Sequence, residues 1–394
     1  MLSPLKKPYS GEHLNLRNIT PILISFFVRF LSGLLPILVI YAMDVMYDKN
    51  NTGVYLFLVG ISSIIANFTQ GIMPVSYADA FLKNKEKVKL TVFDYKKSII
   101  NVFVTVTFVS IVACFLDVEY LTGNIIEFLM LSLAYMNFTF LGKYYLNKFS
   151  VNHFVFYNVA CPNIIVLVSM SIMVLFNVRF ELYYIFTSLS IISFLPIIKL
   201  NLFCYTTVDK NEINVHFRLN FKERILRALL AIIEQLDVLI LTFVGLHQLV
   251  VFAYLKRIVG VGSIASSIIT KTFESKIVGG SLNVNLMATV KYCICGMQTI
   301  FVICIFFLAE DIFSNENAYL FISAGVISVF QILISGEVVS ILLDEKRTII
   351  TILFLSAIIT TSLVLYFNSN MTTLNFSILF IVVNLFKILI LKKV

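Results

Sequence analysis

Long apolar runs constrain this chain more than any other feature. Each contains few charges and has the length of about 20 residues that an α-helix needs to cross the ~30 Å core of a bilayer. Both parities of each run are apolar, whereas a membrane-spanning strand would alternate over about 10 residues. The sequence predicts an all-α integral membrane protein with twelve transmembrane helices: Ile19–Met43, Val54–Tyr77, Ser98–Leu116, Ile125–Leu141, Phe154–Phe176, Leu182–Ile198, Ile225–Val244, Leu249–Ile269, Val290–Leu308, Tyr319–Leu343, Ile349–Phe367 and Leu374–Leu391.

The composition agrees with this class. Of the 394 residues, 59% are hydrophobic and 13% are charged, against roughly 45–50% and 25% in soluble domains. A cytosolic globular protein is therefore excluded, and the short connections leave no room for a sizeable soluble domain. The six cysteines lie in or beside apolar runs, with neither a disulfide framework nor a metal-ligand spacing.

The chain has a net charge of +8, and the placement of its basic residues indicates how the chain is oriented in the membrane. With a cytoplasmic N-terminus, the inner segments hold 23 of the 30 basic residues, and the outer loops hold only Lys49 and Arg179. Because cytoplasmic loops are rich in Lys and Arg, both termini are predicted to lie inside. No nucleic-acid partner is expected.

The longest hydrophilic stretch follows the sixth span and divides the chain. We predict an N-terminal six-helix lobe over residues 1–204, a cytoplasmic linker over 205–224 and a C-terminal six-helix lobe over 225–394. The openings of spans 2 and 8 resemble each other, from Tyr55 to Ile64 and from Tyr254 to Ile264. Two parallel six-helix repeats around a central cavity follow from this pattern.

Polar residues within the N-terminal spans are candidates for a cavity. Arg29 lies about ten residues into span 1, near the middle of the bilayer, where a guanidinium is costly unless it faces a partner or water. Span 2 carries Gly60, Asn67 and Gln70 on a similar stripe. This stripe indicates either close helix packing or, through Asn67 and Gln70, contact with a substrate.

Spans 7 and 8 hold the densest charge. Glu234 and Asp237 share a helix face, and Lys256 and Arg257 are adjacent on the next span. Asp237 and Arg257 lie at equal depth and are expected to meet. Either a structural ion pair or a charge network used in transport fits this pattern, and the net positive interior favours an anionic substrate. Lys387 is expected to extend toward the cytoplasmic interface.

Signatures of an enzyme are sparse. None of the four histidines is followed five residues later by the aspartate of a membrane acyltransferase motif, and there is no P-loop for ATP. The outer loops are too short for the catalytic groups of a lipid-dependent glycosyltransferase. We therefore expect a transporter without catalytic residues, metal ligands or cofactors.

Several short segments then resemble a known family. They are Gly53-Val54-Tyr55 entering span 2, Leu236-Asp237-Val238 followed by Phe252-Ala253-Tyr254 entering span 8, and the cytoplasmic Lys-Glu-Lys at 85–87. Together with the two parallel halves, they resemble a polysaccharide (O-antigen or capsule) repeat-unit flippase of the multidrug/oligosaccharidyl-lipid/polysaccharide exporter superfamily.

The resemblance implies a task and a location. Such proteins move an undecaprenyl-pyrophosphate-linked oligosaccharide from the inner to the outer leaflet of the bacterial inner membrane by alternating access. Arg29, Lys256 and Arg257 would then attract the pyrophosphate and sugar. Independently of the resemblance, the depth of Glu234 and Asp237 in the membrane suggests the hypothesis that one of them couples transport to H⁺ or Na⁺, because buried carboxylates can titrate near neutrality. Membrane lipids, a polysaccharide polymerase and a chain-length regulator are the further partners that the resemblance suggests.

Two other functions stay open. A small-molecule or multidrug exporter of the same superfamily predicts a cavity dominated by acidic groups. An O-antigen polymerase or another lipid-sugar transferase predicts a long outer loop, which the sequence lacks.

Overall fold

A computed structural model shows a bundle of α-helices. It describes residues 32–69, 93–115, 118–147, 151–178, 181–200, 221–260, 284–308, 315–334, 345–368 and 372–393. Within these ranges nearly every residue is helical and no strand occurs.

The helices follow the predicted apolar runs closely. A four-residue helix, Glu119–Thr122, precedes the helix Ile125–Asn147, which is α4. The next helix, α5, consists of Val151–Val155, one π-helical turn, Phe156–Ala160, and Cys161–Leu175. The other bounds are α1 Ser32–Met46, α2 Lys49–Thr69, α3 Phe93–Phe115, α6 Leu182–Lys199, α7 Phe221–Glu234, α8 Leu236–Val244, α9 246–260, α10 Val284–Leu308, α11 Asn315–Ile334, α12 Glu345–Asn368 and α13 Thr373–Lys393.

The chain is an all-α membrane protein. In the described ranges, six helical segments are long and apolar enough to cross a membrane: Lys49–Thr69, Ser98–Phe115, Ile125–Gly142, Asn152–Leu175, Leu182–Lys199 and Thr373–Ile390. Large apolar side chains such as Phe108, Phe115 and Leu175 are exposed on the outside of the bundle, as a lipid-facing surface requires. The count of twelve crossings and the orientation of the termini stay predictions.

The seventh predicted span is broken, so the expectation of one continuous helix over 225–244 was wrong. Helix α7 ends at Glu234 and α8 begins at Leu236, with Gln235 between them at φ −107° and ψ 10°. The backbone N–H of Gln235 donates to the carbonyl oxygens of both Ala231 and Ile232, at 3.0 and 3.1 Å, which tightens the last turn of α7. The break leaves Asp237 in the first turn of α8.

The N-terminal and C-terminal helices meet along α2, which packs against both α7 and α8. Glycines permit this close approach. A Cβ atom at Gly60 would lie 2.9 Å from Val238 Cγ1, and one at Gly53 would lie 2.7 Å from Leu246 Cβ. The packing interpretation of the span 2 stripe therefore holds at Gly60. The predicted linker lies mostly outside the described residues, so the lobe boundaries stay predictions.

Buried polar side chains connect helices within each half. In the N-terminal half the Tyr95 hydroxyl donates to Asn137 Oδ1 at 2.7 Å, and Asn137 Nδ2 donates to Ser193 Oγ at 2.9 Å, joining α3, α4 and α6. In the C-terminal half Gln298 Nε2 donates to Ser328 Oγ at 3.0 Å and to a carbonyl of α9 at 2.7 Å. Because an unpaired polar group is costly in the membrane interior, these bonds specify how the helices are rotated.

Candidate functional site

A polar cavity of about 450 Å³ lies where the two halves meet. Helices α1, α2, α4 and α5 contribute one side of its lining, and α7, α8, α9 and α11 contribute the other. Its polar and charged lining residues are Tyr55, Ser63, Tyr135, Asn158, Asn163, Glu234, Gln235, Asp237, Lys256, Arg257 and Gln331. The cavity therefore collects the charged residues that the sequence placed in spans 7 and 8.

Asp237 and Lys256 form an ion pair across α8 and α9. Lys256 Nζ lies 2.5 Å from Asp237 Oδ2 and also donates to the Glu234 carbonyl oxygen at 3.3 Å. The Asp237 side chain is 2% exposed and that of Lys256 is 26% exposed. Asp237 Oδ1 is buried with no hydrogen-bond partner in the part of the chain that the structure describes. The positive end of α8 also favours a carboxylate in its first turn.

A second carboxylate–lysine pair lies beside the first. Lys387 Nζ, from α13, approaches Glu234 Oε1 to 3.9 Å. The Lys387 side chain is 4% exposed and that of Glu234 is 57% exposed. The sequence suggested that Lys387 can extend toward the cytoplasmic interface; its side chain instead lies inside the bundle, beside Glu234. The helix break thus places two carboxylates against two lysines from different helices.

Arg257 is the second basic residue, with Lys256, among the described residues that line the cavity. Its side chain is open to the cavity, and it has Tyr135, Asp237 and Tyr55 as electrostatic neighbours. Among the described residues it makes no ion pair. The sequence predicted that Asp237 meets Arg257; instead the adjacent Lys256 makes the direct contact, and Arg257 is left facing the cavity.

The other predicted residues are placed differently. Arg29 and Gln70 lie outside the described residues. Asn67 donates to the Ser63 carbonyl oxygen at 3.0 Å on its own helix and is not part of the lining that the described residues form. The predicted roles in substrate binding and ion coupling stay predictions.

Sequence reasoning missed the lining from α4 and α5. The lining from these helices includes Tyr135, Asn158 and Asn163. A search of the apolar runs for charged residues does not identify them, because all three are uncharged. Pro162 is the signal that could have found the two asparagines of α5, since a proline within a span disturbs the helix one turn earlier, at Asn158.

A larger cavity of about 570 Å³ lies between α10 and α11. Its lining is apolar apart from Thr299, with Phe306 and Phe321 among its members. It offers no charged group that could orient a polar ligand. Across the described ranges, no cluster of three or more His, Cys, Asp and Glu residues is placed to hold a metal ion.

Comparison with family models, with curated proteins and with solved structures found no match for this chain.

Proposed function

We propose that the chain is a lipid-linked oligosaccharide flippase of the bacterial inner membrane. It would move undecaprenyl-pyrophosphate-linked repeat units from the inner to the outer leaflet by alternating access. The observation that carries this proposal is the Arg257 guanidinium, which opens into a polar cavity between the two halves without an ion-pair partner among the described residues.

The charges around the cavity favour an anionic ligand. Lys256 is neutralised by Asp237, and Lys387 is placed against Glu234. Because Lys387 balances Glu234 from outside the lining, Arg257 is the basic lining residue that no described carboxylate pairs with. A planar guanidinium donates two parallel hydrogen bonds to a phosphate, which makes it well suited to a pyrophosphate linkage. Movement of an anion out of an inside-negative cell is also favoured, by ~2.3 kcal/mol per charge per 100 mV.

The size and lining of the cavity suit a lipid headgroup. Its volume of about 450 Å³ falls in the range of roughly 300–1,000 Å³ that small-ligand sites occupy. A pyrophosphate with an adjoining sugar can fit such a space, while the polyprenyl chain stays among the lipids. Two six-helix lobes with both termini inside are the architecture that the proposal assumes. H⁺ or Na⁺ coupling through Glu234 or Asp237 belongs to the same proposal.

One observation favours a second candidate, a small-molecule or multidrug exporter. The Glu234 side chain is 57% exposed and lines the cavity, so its carboxylate could attract a cationic compound. Under this alternative, Glu234→Gln abolishes export while Arg257→Ala preserves it. A flippase predicts the larger loss from Arg257→Ala.

Deletion of the gene in its bacterial host, followed by complementation, tests the proposal. Loss of surface polysaccharide with lipid-linked repeat units retained on the cytoplasmic leaflet is expected. Single units accumulating on the outer leaflet would instead indicate a polymerase, and drug sensitivity with normal polysaccharide would indicate an exporter.

Complementation with Arg257→Ala then tests the site. Removal of a charged hydrogen bond costs about 2 kcal/mol, roughly thirtyfold in affinity, so surface polysaccharide should fall sharply. Arg257→Lys keeps the positive charge but cannot donate the two parallel hydrogen bonds of a guanidinium, so it should restore part of the activity. Lys199→Met, at the exposed C-terminal end of α6, is the control. Full complementation by Arg257→Ala would show that Arg257 does not contribute to substrate binding.

A further inference from the structure

The part of the cavity lining that comes from α2, α4 and α5 has its own chemistry. It carries two tyrosines, Tyr55 from α2 and Tyr135 from α4, and two asparagines, Asn158 and Asn163 from α5. None of the four is charged, and all four side chains contain hydrogen-bonding groups. This wall is therefore built for a neutral polar ligand rather than for an ion.

A local distortion of α5 forms the asparagine part of this wall. The π-helical turn Phe156–Ala160 contains Asn158. Pro162 follows four residues later and has no N–H with which to bond the Asn158 carbonyl, so a regular α-helix cannot pass through this point unchanged. Such turns inside α-helices often mark functional sites.

The neighbouring helix leaves space for the Asn158 side chain. A Cβ atom at Gly142 of α4 would lie only 2.5 Å from Asn158 Nδ2. The Asn158 amide makes no hydrogen bond to any residue in the described part of the chain. An amide inside the membrane is costly unless water or a ligand pairs with it. Asn158 thus presents to the cavity a donor and an acceptor that no described residue uses.

The other three residues present complementary groups. Asn163 Nδ2 donates to the Val159 carbonyl oxygen at 2.6 Å, which leaves its carbonyl oxygen able to accept a hydrogen bond. The Tyr55 ring stacks on Phe186, with centroids 5.9 Å apart and ring planes at 9°, so its position is held firmly. Both tyrosines are electrostatic neighbours of Arg257. This part of the lining therefore adjoins the residue that is proposed to bind the phosphate.

Amides and hydroxyls paired with aromatic rings match a sugar. Each sugar hydroxyl donates and accepts hydrogen bonds, as an amide does, and the C–H face of the sugar can lie against a ring. We propose that Tyr55, Tyr135, Asn158 and Asn163 form a carbohydrate subsite for the sugar next to the pyrophosphate, while Arg257 binds the phosphate. This inference rests on the proposed function and adds to it a division of the cavity into two recognition surfaces.

Binding to two lipids that differ only in the sugar tests the subsite. The probes are undecaprenyl pyrophosphate and undecaprenyl-pyrophosphoryl N-acetylglucosamine, titrated into the purified full-length protein in detergent. The wild type should bind the sugar-bearing lipid more tightly. Asn158→Leu and Asn163→Leu should each lower the affinity for that lipid about three- to tenfold and leave the affinity for the sugar-free lipid unchanged. Arg257→Ala should weaken both.

Two further variants separate binding from folding. Gly142 is not itself one of the lining residues, but an alanine there would displace the Asn158 amide, so Gly142→Ala should reproduce the sugar-specific loss. Asn384→Leu is the matched control for Asn163, because Asn384 Nδ2 also donates to a carbonyl four residues earlier, at 2.9 Å, away from this cavity. It should leave the binding of both lipids unchanged. Size-exclusion profiles and melting temperatures show which variants are folded.

Each failure has a distinct meaning. If the wild type binds the two lipids equally, or if folded Asn158→Leu and Asn163→Leu alter both lipids alike or neither, the carbohydrate subsite is wrong and the flippase proposal stands. If the wild type binds neither lipid, the proposed function itself is overturned, and the subsite with it.

Discussion

The Lys256–Asp237 pair predicts an asymmetric response to mutation. Removal of Lys256 as Lys256→Met leaves a carboxylate that is only 2% exposed and that already has one oxygen without a partner in the described structure. Stranding such a charge costs about 3–5 kcal/mol. Because Arg257 remains an electrostatic neighbour of Asp237, we expect a value near the lower limit, about 3 kcal/mol.

The reverse substitution should be milder. In Asp237→Asn, the ammonium group of Lys256 keeps its bond to the Glu234 carbonyl oxygen and the 26% exposure of its side chain to the cavity. A loss of about 1–2 kcal/mol is expected. In the double variant Asp237→Asn/Lys256→Met neither charge is stranded, so the loss should be smaller than the sum of the two single losses by about 1–3 kcal/mol.

Equilibrium unfolding of the purified protein in mixed detergent micelles measures these three losses. Lys199→Met, which removes an exposed lysine, should change the free energy of unfolding by less than about 0.5 kcal/mol. Two results would refute the reasoning: a loss for Lys256→Met no larger than that for Asp237→Asn, or single losses that add up in the double variant.

Two further predictions concern helix packing. Gly60→Ala places a Cβ atom 2.9 Å from Val238 Cγ1 and should destabilise the protein by about 1–3 kcal/mol; Gly296→Ala, where a Cβ meets nothing within 4 Å, should not, and equal melting temperatures for the two variants would contradict the close contact. Tyr95→Phe removes the donor to Asn137 Oδ1, leaves that buried acceptor unpaired and should cost about 1–3 kcal/mol in unfolding experiments. An unchanged unfolding midpoint for Tyr95→Phe would show that this hydrogen bond contributes nothing.

Hydrophobicity along the chain predicted most of the helix positions. The sixth predicted span, Leu182–Ile198, and helix α6, Leu182–Lys199, nearly coincide. This agreement has a local cause, since a run of apolar residues in lipid must satisfy its own backbone hydrogen bonds and can do so only as a helix. The break at Gln235 was not predicted, because Glu234, Gln235 and Asp237 interrupt the apolar run there without containing a proline or glycine that would end a helix.

The candidate site was predictable only in part. Charges such as Asp237 and Lys256 stand out in an apolar run, because each is costly in lipid and needs a partner. Asn158 does not stand out, because a single amide among apolar residues is common where helices pack. Its exposure to the cavity depends on the π-helical turn and on the space that Gly142 leaves in another helix.

By itself, then, the sequence determined the all-α membrane class, the positions of most helices and the residues that must find a partner. Only the tertiary structure decided which partners meet. Lys256 and Arg257 differ in depth by about 1.5 Å but in direction by about 100° around the helix axis. Depth can be counted along a sequence, whereas direction depends on how each helix is rotated against its neighbours. That rotation pairs Lys256 with Asp237 and leaves Arg257 facing the cavity.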